Sequence, residues 1–505
     1  MSGGAAGSHD TAVHLVDHLP ILMVAAPLLT APLCVLLRRA RAAWLVTMLV
    51  TWGSFGSAIH VLHRVMTTGA FSYEVGGWAP PLGIELRFGH FNALVLIIVT
   101  SVSAVVLASA PTTLREVPRE RQYLFFAAFL LCMTGLMGMT SAGDAFNVFV
   151  FLEISALATY SLIAQGSSPR ALTSAFRYLI MGTIGGTFFL LGVGMLYMVT
   201  GTLNMADMTT RLAAADANRT VLIALAAIVV GLGVKTALFP LHSWLPDAYT
   251  FAPAMVTAFV AATATKVAYF GLATFIYRIF GVELAFGQLG LANVLLPLAL
   301  IAMFVASAVA IFEKDVKRML AFSSLAQIGY MVLGLALASK AGLTGGIVHL
   351  FNHAMTKSAL FMVLGAVVLQ VGSTRLEDMR GIGRRMPLTM MAFVIGGLSL
   401  IGVPLTAGFV SKWYLVIGAM EADQWLVAVL ILLSSLLAVA YVWRIVEVAY
   451  FSEPTEKAAA ANEAPPGVLV PTWILIGAIL YFGISTRFTA AVAERAAELL
   501  MMGQL

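Results

Sequence analysis

The residues most able to carry chemistry are four lysines and one glutamate inside long apolar stretches of the chain. Lys235, Lys266, Lys357 and Lys412 lie well away from the ends of such stretches, and Glu153 lies within FNVFVFLEISALATY. A charged side chain in the middle of a membrane costs about 2.5–3.5 kcal/mol on insertion scales. Charges kept at that cost generally mark a functional site.

These groups suit proton transfer because each can be charged or neutral. Burial disfavours the charged form of a side chain, whereas pairing with an opposite charge favours it. A lysine that alternates between paired and isolated states can therefore take up and release a proton. One buried lysine could instead extend its ammonium group to the membrane surface, but this explanation is weak for four. Asp144, at the start of the Glu153 stretch, and His242 are supporting candidates.

The stretch GGIVHLFNHAMTKSALF holds His349, His353 and Lys357 at steps of four, which places all three on one helix face. Three interpretations are open: a metal site, a packed core face, or a polar stripe that carries protons. HLFNH lacks the glutamate of HExxH, and no thiolates or clustered carboxylates complete a site, so no metal or cofactor is predicted. We favour the proton relay, which would extend over about 12 Å of helix.

Two apolar stretches with a lysine also contain a helix-breaking proline. Lys235 precedes Pro240 by five residues, and Lys412 follows Pro404 by eight. Proline interrupts the hydrogen-bond ladder of a helix. Matching interrupted segments in two halves of a membrane protein indicate inverted repeats with a site near the midplane.

The composition requires that these stretches cross a membrane. Of 505 residues, 60% are hydrophobic and 10% charged, against about 25% charged in soluble domains. Apolar runs of 18 or more residues recur, which predicts an all-α polytopic membrane protein with about 14 transmembrane helices. The predicted spans 1 to 14 cover about residues 20–37, 42–66, 90–110, 122–140, 144–166, 171–200, 219–240, 252–279, 289–312, 319–339, 342–371, 387–419, 424–450 and 469–489.

The predicted architecture has four parts: residues 1–121 with helices 1–3, residues 122–280 with helices 4–8, residues 289–451 with helices 9–13, and residues 452–505. The second and third parts would be inverted five-helix repeats, with broken helices 7 and 12. The fourth part would hold a flexible cytoplasmic linker, 452–467, and helix 14. Residues 67–89 should form a structured loop or hairpin. Gly182 and Gly186 form a GxxxG pattern typical of close helix packing.

Basic residues mark one set of alternate loops as cytoplasmic. These residues are Arg38, Arg39, Arg41, Arg115, Arg119, Arg121, Arg170, Lys314, Lys317, Arg318, Arg375, Arg380, Arg384 and Arg385. With fourteen spans, both termini would then face the non-cytoplasmic side of the cell (inner) membrane. The net charge of +5 is explained by this orientation, and no nucleic-acid partner is expected. Cys34 and Cys132 lie in apolar segments, which argues against a disulfide framework.

Three segments resemble the signature regions of the antiporter-like family: GLGVKTALFPLHSWLPDAYTFAPAMVTAFVAATATKVAYF, EKDVKRMLAFSSLAQIGYM and HLFNHAMTKSALF. This family includes the large membrane subunits of respiratory complex I, subunits of membrane-bound hydrogenases, and the A-type and D-type subunits of Mrp-type multisubunit cation/proton antiporters. The resemblance runs from about residue 153 to residue 412. It implies fourteen helices with inverted five-helix repeats.

The resemblance also implies residue roles. It implies a glutamate facing a lysine, here Glu153 and Lys235, and a connecting lysine, here Lys266. It further implies a relay through His349, His353 and Lys357, and a terminal lysine in broken helix 12, here Lys412.

Several features favour the D-type subunit of Mrp antiporters. The chain ends soon after helix 14, and helix 12 carries lysine. Tyr249 stands where many complex I relatives have histidine, which weakens a role for this position in proton transfer. The expected function is proton translocation in a multisubunit antiporter for Na+ or another monovalent cation, with other membrane subunits as partners and no redox centre of its own. The alternatives are a proton-pumping subunit of a complex I-like or hydrogenase complex, which would belong to an oxidoreductase, and a non-conducting scaffold.

Overall fold

Helices form nearly all of the chain in the computed structural model, which describes residues 15–214 and 219–504. The helices are α1 (Leu19–Leu37), α2 (Ala40–Thr68), α3 (His90–Ala108), α4 (Ala110–Thr113), α5 (Gln122–Ser141), α6 (Ala145–Ile163), α7 (Arg170–Thr200), α8 (Met205–Ala213), α9 (Arg219–Thr236), α10 (Leu245–Phe251), α11 (Ala254–Thr274), α12 (Ala292–Phe312), α13 (Val316–Ala336), α14 (Lys340–Val371), α15 (Pro387–Ile401), α16 (Ala407–Glu421), α17 (Trp425–Phe451), α18 (Glu456–Ala460), α19 (Pro466–Ile484) and α20 (Arg487–Met501).

The long helices match the predicted membrane spans. Within the described ranges, 13 helices are long and apolar enough to cross a membrane, and up to 14 if one bent helical pair is counted as a span. The predicted span 12 is divided into α15 and α16, each 15 residues long. The prediction of an all-α, polytopic membrane protein is thus confirmed.

Both predicted breaks are present. Helix α9 ends at Thr236 and α10 begins at Leu245, with Pro240 between them. The Trp244 indole N–H donates to the Val234 carbonyl at 2.9 Å, so one carbonyl near the α9 end is satisfied by a side chain. Helices α15 and α16 are separated by residues 402–406, which include Pro404.

Residues 67–89 contain the predicted hairpin. Strand β1 (Phe71–Glu74) pairs antiparallel with β2 (Glu85–Phe88), and the rings of Phe71 and Phe88 stack 5.1 Å apart. The Glu85 side chain is buried and accepts a hydrogen bond from the Asn204 amide at 2.8 Å. The hairpin is therefore fixed to the segment that follows α7.

The structure departs from the sequence predictions in three places. The predicted span 7 ended at residue 240. In the structure, a second short helix, α10, follows the break and extends the span beyond that residue. An additional helix, α20, follows the last span. Residues 452–467, predicted to be a flexible linker, instead make specific contacts: Lys457 pairs with Asp378 at 3.3 Å, and Glu463 accepts from the Leu388 N–H at 2.7 Å.

Four of the described membrane-spanning helices are the most enclosed by their neighbours: α5, α11, α13 and α14. In α1, α2, α7, α12, α17 and α19, fewer than half of the residues of the apolar window are buried, as expected for helices that face lipid. The candidate residues on α11 and α14 therefore lie in the centre of the molecule. The inverted repeats, the four-part division and the sides of the termini stay predictions, and residues 1–14 and 505 lie outside the described residues.

Candidate functional site

Glu153 on α6 and Lys235 on α9 form an ion pair. The Lys235 ammonium lies 3.5 Å from Glu153 Oε1 and 3.4 Å from the hydroxyl of Tyr160. The Lys235 side chain is 6% exposed and that of Glu153 is 24% exposed. Position 235 lies in the last turn before the break, so the end of α9 places the lysine opposite a carboxylate 82 residues earlier in the chain.

Helix α7 closes tightly over this pair through its two GxxxG glycines. A Cβ atom added at Gly182 would lie 1.8 Å from the Tyr160 hydroxyl, and one added at Gly186 would lie 2.3 Å from Glu153 Oε1. The GxxxG pattern predicted close helix packing. In the structure, Tyr160 and Glu153, the polar groups around Lys235, occupy the space that a side chain at either glycine would need.

Lys266 and Lys357 are buried without a carboxylate within ion-pair distance in the described ranges. The Lys266 ammonium donates to the carbonyl of Ala261 and, at 3.3 Å, to the hydroxyl of Thr265. Lys357 on α14 donates to the carbonyl of Leu320 at 2.9 Å and to the hydroxyl of Ser323. Neutral oxygen atoms thus hold both lysines.

Lys412 sits at the break of span 12. Its ammonium donates to the carbonyls of Leu400 and Ile401 at 3.0 and 2.8 Å, and to the Ser435 hydroxyl at 3.0 Å. It also lies 4.7 Å from the ring centroid of Tyr330. The two carbonyls belong to the last turn of α15, where the helix dipole favours a cation.

His349 and His353 connect these lysines on one face of α14. Nδ1 of His349 lies 2.8 Å from the Ser411 hydroxyl, and the two imidazole rings are nearly parallel, 5.9 Å apart. Helix α14 packs against α11, which carries Lys266, and against α16, which carries Lys412. Nε2 of His349 and both ring nitrogens of His353 have no hydrogen-bond partner in the described part of the chain.

Tyrosines pack around the Glu153–Lys235 pair and on the neighbouring helix α10. Tyr178 packs edge-on against Tyr160, with ring centroids 4.7 Å apart. Tyr249 is buried on α10, which contacts α11, the helix that carries Lys266. The Tyr249 hydroxyl has no hydrogen-bond partner in the described ranges.

The supporting candidates lie outside this cluster. Asp144 accepts the N–H groups of Phe146 and Asn147, both at 2.9 Å, and is the N-cap of α6. His242 stacks on Phe239 at 5.1 Å and faces a cavity of about 30 Å³ lined also by Phe322. Pro240 and Pro404 lie within the two helix breaks, one between α9 and α10 and the other between α15 and α16. Among the described residues, no three His, Cys, Asp or Glu side chains converge on one point as metal ligands would.

Sequence reasoning missed the hydroxyl groups of the site. The hydroxyls of Tyr160, Ser323, Ser411 and Ser435 each contact a buried lysine or histidine. The hydroxyl of Tyr330 lies 3.3 Å from that of Ser435. Serine and threonine are common in membrane helices, where they usually bond to their own backbone. Only their position next to a lysine or histidine distinguishes these hydroxyls, and that position depends on tertiary contacts.

Comparison with known proteins identifies the family. The profile described as "NADH:quinone oxidoreductase/Mrp antiporter, TM" matches residues 142–438. The chain is 44% identical to NADH-quinone oxidoreductase subunit N of Desulforudis audaxviator, over 90% of this chain and 91% of that protein. It is 28% identical to the D-type subunit of the Na+/H+ antiporter of Bacillus subtilis, over 96% and 98% of the two chains.

A solved structure with a similar fold is a chain of the Mrp complex from Dietzia sp. DQ12-45-1b. The TM-score is 0.88 and the sequence identity is 27%, with 97% of this chain and 98% of that chain covered. The family match includes Glu153, the lysines Lys235, Lys266, Lys357 and Lys412, and both histidines of α14. This multi-pass membrane protein belongs to the NADH:quinone oxidoreductase/Mrp antiporter transmembrane family.

Proposed function

We propose that this chain is the proton-translocating membrane subunit of a multisubunit monovalent cation/proton antiporter, with Na+ as the cation. The observation that carries the proposal is the connected set of buried lysines and histidines. Lys266, Lys357 and Lys412 are held by neutral acceptors, and His349 and His353 lie on α14, which packs against the helices of Lys266 and Lys412. A purely structural set of buried charges would be expected to consist of closed ion pairs.

The proposed route begins at the Glu153–Lys235 pair. The nearby carboxylate favours the charged form of Lys235, so weakening of this pair releases the lysine proton towards Lys266. Because like charges repel strongly in a low dielectric, a proton arriving at one lysine favours proton release from the next. The imidazole rings then pass the proton towards Lys412, with water molecules bridging the ring nitrogens that lack protein partners.

The partners in this proposal are other membrane subunits. The similar chains include the D-type subunit of a Na+/H+ antiporter and a chain of an Mrp complex. By analogy, the partner subunits would form the rest of the antiporter, and coupling to the cation would depend on the assembled complex. Glu153 and Lys412 would be the two ends of the route within this chain.

The test measures cation-dependent proton movement in inside-out vesicles that contain the whole complex. We expect Lys235→Ala and Lys412→Ala each to reduce transport by about a hundredfold, the size of effect typical of a lost proton-transfer group. Lys340→Ala is the matched control, because this lysine is exposed and pairs with Glu498 at the surface. Full transport by both buried-lysine variants, with normal assembly, would show that the route is wrong.

A second candidate keeps the same route but drives it by a redox reaction. The observation that favours it is the 44% identity to NADH-quinone oxidoreductase subunit N. The two candidates differ in the subunits that purify with the chain. Co-purifying flavin and iron–sulfur subunits, together with proton transport that depends on NADH and quinone, would favour the redox complex. Transport that depends on a Na+ gradient without them would favour the antiporter.

A further inference from the structure

A basic pocket opens at the predicted cytoplasmic ends of the helices. It has a volume of about 780 Å³ and is lined by residues at the ends of α7, α10, α13 and α17. Six basic side chains line it: Arg170, Lys314, Arg318, Arg375, Arg380 and Arg444. The pocket lies at the contact between α10 and α13, where the two predicted repeats meet.

Part of this positive charge is already neutralised. Arg318 pairs with Asp247 and with Glu313, the latter at 3.0 Å, and Arg375 pairs with Glu377 at 3.4 Å. The guanidinium of Arg444 donates to backbone carbonyls, including that of Glu313 at 2.8 Å.

Four cations of the pocket form no ion pair in the described ranges: Arg170, Lys314, Arg380 and Arg444. The Arg170 guanidinium lies 5.7 Å from the centroid of the Phe251 ring, and Arg444 is held by carbonyls. The side chains of the other two have no such partner among the described residues. Lys314 and Arg380 are exposed, and neither has a carboxylate within 4.0 Å in the described ranges. Asp315, another acid of the lining, already accepts the Arg318 N–H at the start of α13 and a hydrogen bond from Thr374. An anion in the pocket would therefore find Lys314 and Arg380 exposed and not engaged by another described side chain or carbonyl.

Three exposed apolar side chains, Phe312, Phe451 and Leu172, lie close along the chain to residues of the pocket lining and are called here its apolar rim. Phe312 and Phe451 are 80% and 73% exposed, and Leu172 is 65% exposed. Each lies within two residues of a residue that lines the pocket, namely Lys314, Ser452 and Arg170. Exposed apolar groups and the basic lining thus occur at the same helix ends. A soluble anion would make no use of the apolar rim, whereas a lipid would contact both.

We propose that this pocket binds the headgroup of an anionic phospholipid, with the phosphate held by Lys314 and Arg380 and the acyl chains lying against the apolar rim. Arginine and lysine are the usual phosphate-binding side chains, and basic pockets between membrane helices on the cytoplasmic side suit anionic headgroups. The bound lipid would connect the end of α7 with those of α13 and α17. This inference does not depend on which ions cross the membrane.

The test is a native mass spectrometry titration of the purified, delipidated complex with phosphatidylglycerol in detergent. We expect the double variant Lys314→Gln/Arg380→Gln to bind its tightest phosphatidylglycerol about thirtyfold more weakly than the wild type. The matched control is Arg38→Gln/Arg39→Gln, which removes the same charge from an exposed loop predicted to lie on the same side. The control should retain wild-type affinity.

Three outcomes would overturn the proposal. The first is equal affinity of the double variant and the wild type. The second is an equal loss in the double variant and the control, which would indicate a general effect of charge. The third is displacement of the lipid by millimolar inorganic phosphate, which would assign the pocket to a soluble anion. Phosphatidylcholine, titrated in parallel, should bind the wild type and the double variant equally.

Discussion

At the residue scale, the buried lysines differ in their partners. Lys235 faces a carboxylate, whereas Lys357 and Lys412 donate to carbonyl and hydroxyl oxygens. Neutral acceptors stabilise a charged ammonium group less than a carboxylate does, and they leave no unpaired charge when the lysine loses its proton. This arrangement suits groups that must change their charge repeatedly within a membrane.

The histidines of α14 provide a prediction at this scale. We expect His353→Ala to abolish most proton transport while leaving assembly intact, because the ring lies on α14 one turn from both His349 and Lys357 and bonds to no described protein group that it would leave unsatisfied. The measurement is transport by vesicles, together with the yield of the intact complex. His63→Ala, a change of an exposed histidine on α2, should have no effect. Normal transport by the His353 variant would return the α14 histidines to a packing role.

At the element scale, the two helix breaks position the lysines Lys235 and Lys412. The break after α15 exposes the carbonyls of Leu400 and Ile401, and Lys412 from the next half-helix binds them. A continuous helix would use these carbonyls for its own hydrogen bonds. The break after α9 similarly places Lys235 at the end of a helix. Pro240 and Pro404 therefore contribute through backbone geometry.

The glycines of α7 provide a prediction for this helix. We expect Gly182→Ala and Gly186→Ala each to reduce transport by about tenfold or more, because the new methyl group must displace Tyr160 or Glu153. Gly194→Ala is the matched control in the same helix, since its Cβ would meet no atom within 4 Å. The measurement is the transport rate of vesicles with equal amounts of assembled complex. Equal rates for all three variants would show that the spacing around the ion pair is unimportant.

At the scale of the whole molecule, the two ends of the helices carry different features. The hairpin of β1 and β2, the end of α5 and the start of α8 meet at one end of the helices, through contacts such as that of Glu85 with Asn204. The basic pocket and the 452–467 segment lie at the other end. The positive-inside rule assigns the second face to the cytoplasm.

This orientation can be tested with single cysteines. We expect a membrane-impermeant maleimide to label Leu82→Cys in right-side-out vesicles, and Arg384→Cys only in inside-out vesicles. Leu82 is 93% exposed in the hairpin, and Arg384 is exposed in the loop before α15. The unmodified chain is the control, because Cys34 and Cys132 are both buried. Labelling in the reverse pattern would invert the predicted topology.

The sequence by itself determined the membrane character, the positions of the long helices and the residues of the candidate route. These features follow from local hydropathy and from single charges inside apolar runs, which need no knowledge of contacts. The same local information could not reveal that residues 452–467 are held in place, because their partners lie about 75 residues earlier.

Only the tertiary structure decided which groups meet. Lys357 bonds to Ser323 and Lys412 to Ser435, across 34 and 23 residues of chain, and Gly186 leaves room for Glu153 from another helix. Hydropathy places a lysine within the membrane but cannot specify the oxygen atoms around it, since these come from helices that are distant in sequence. Asp144 differs from these groups, because it caps α6 through the N–H groups of Phe146 and Asn147, which are two and three residues further along the chain.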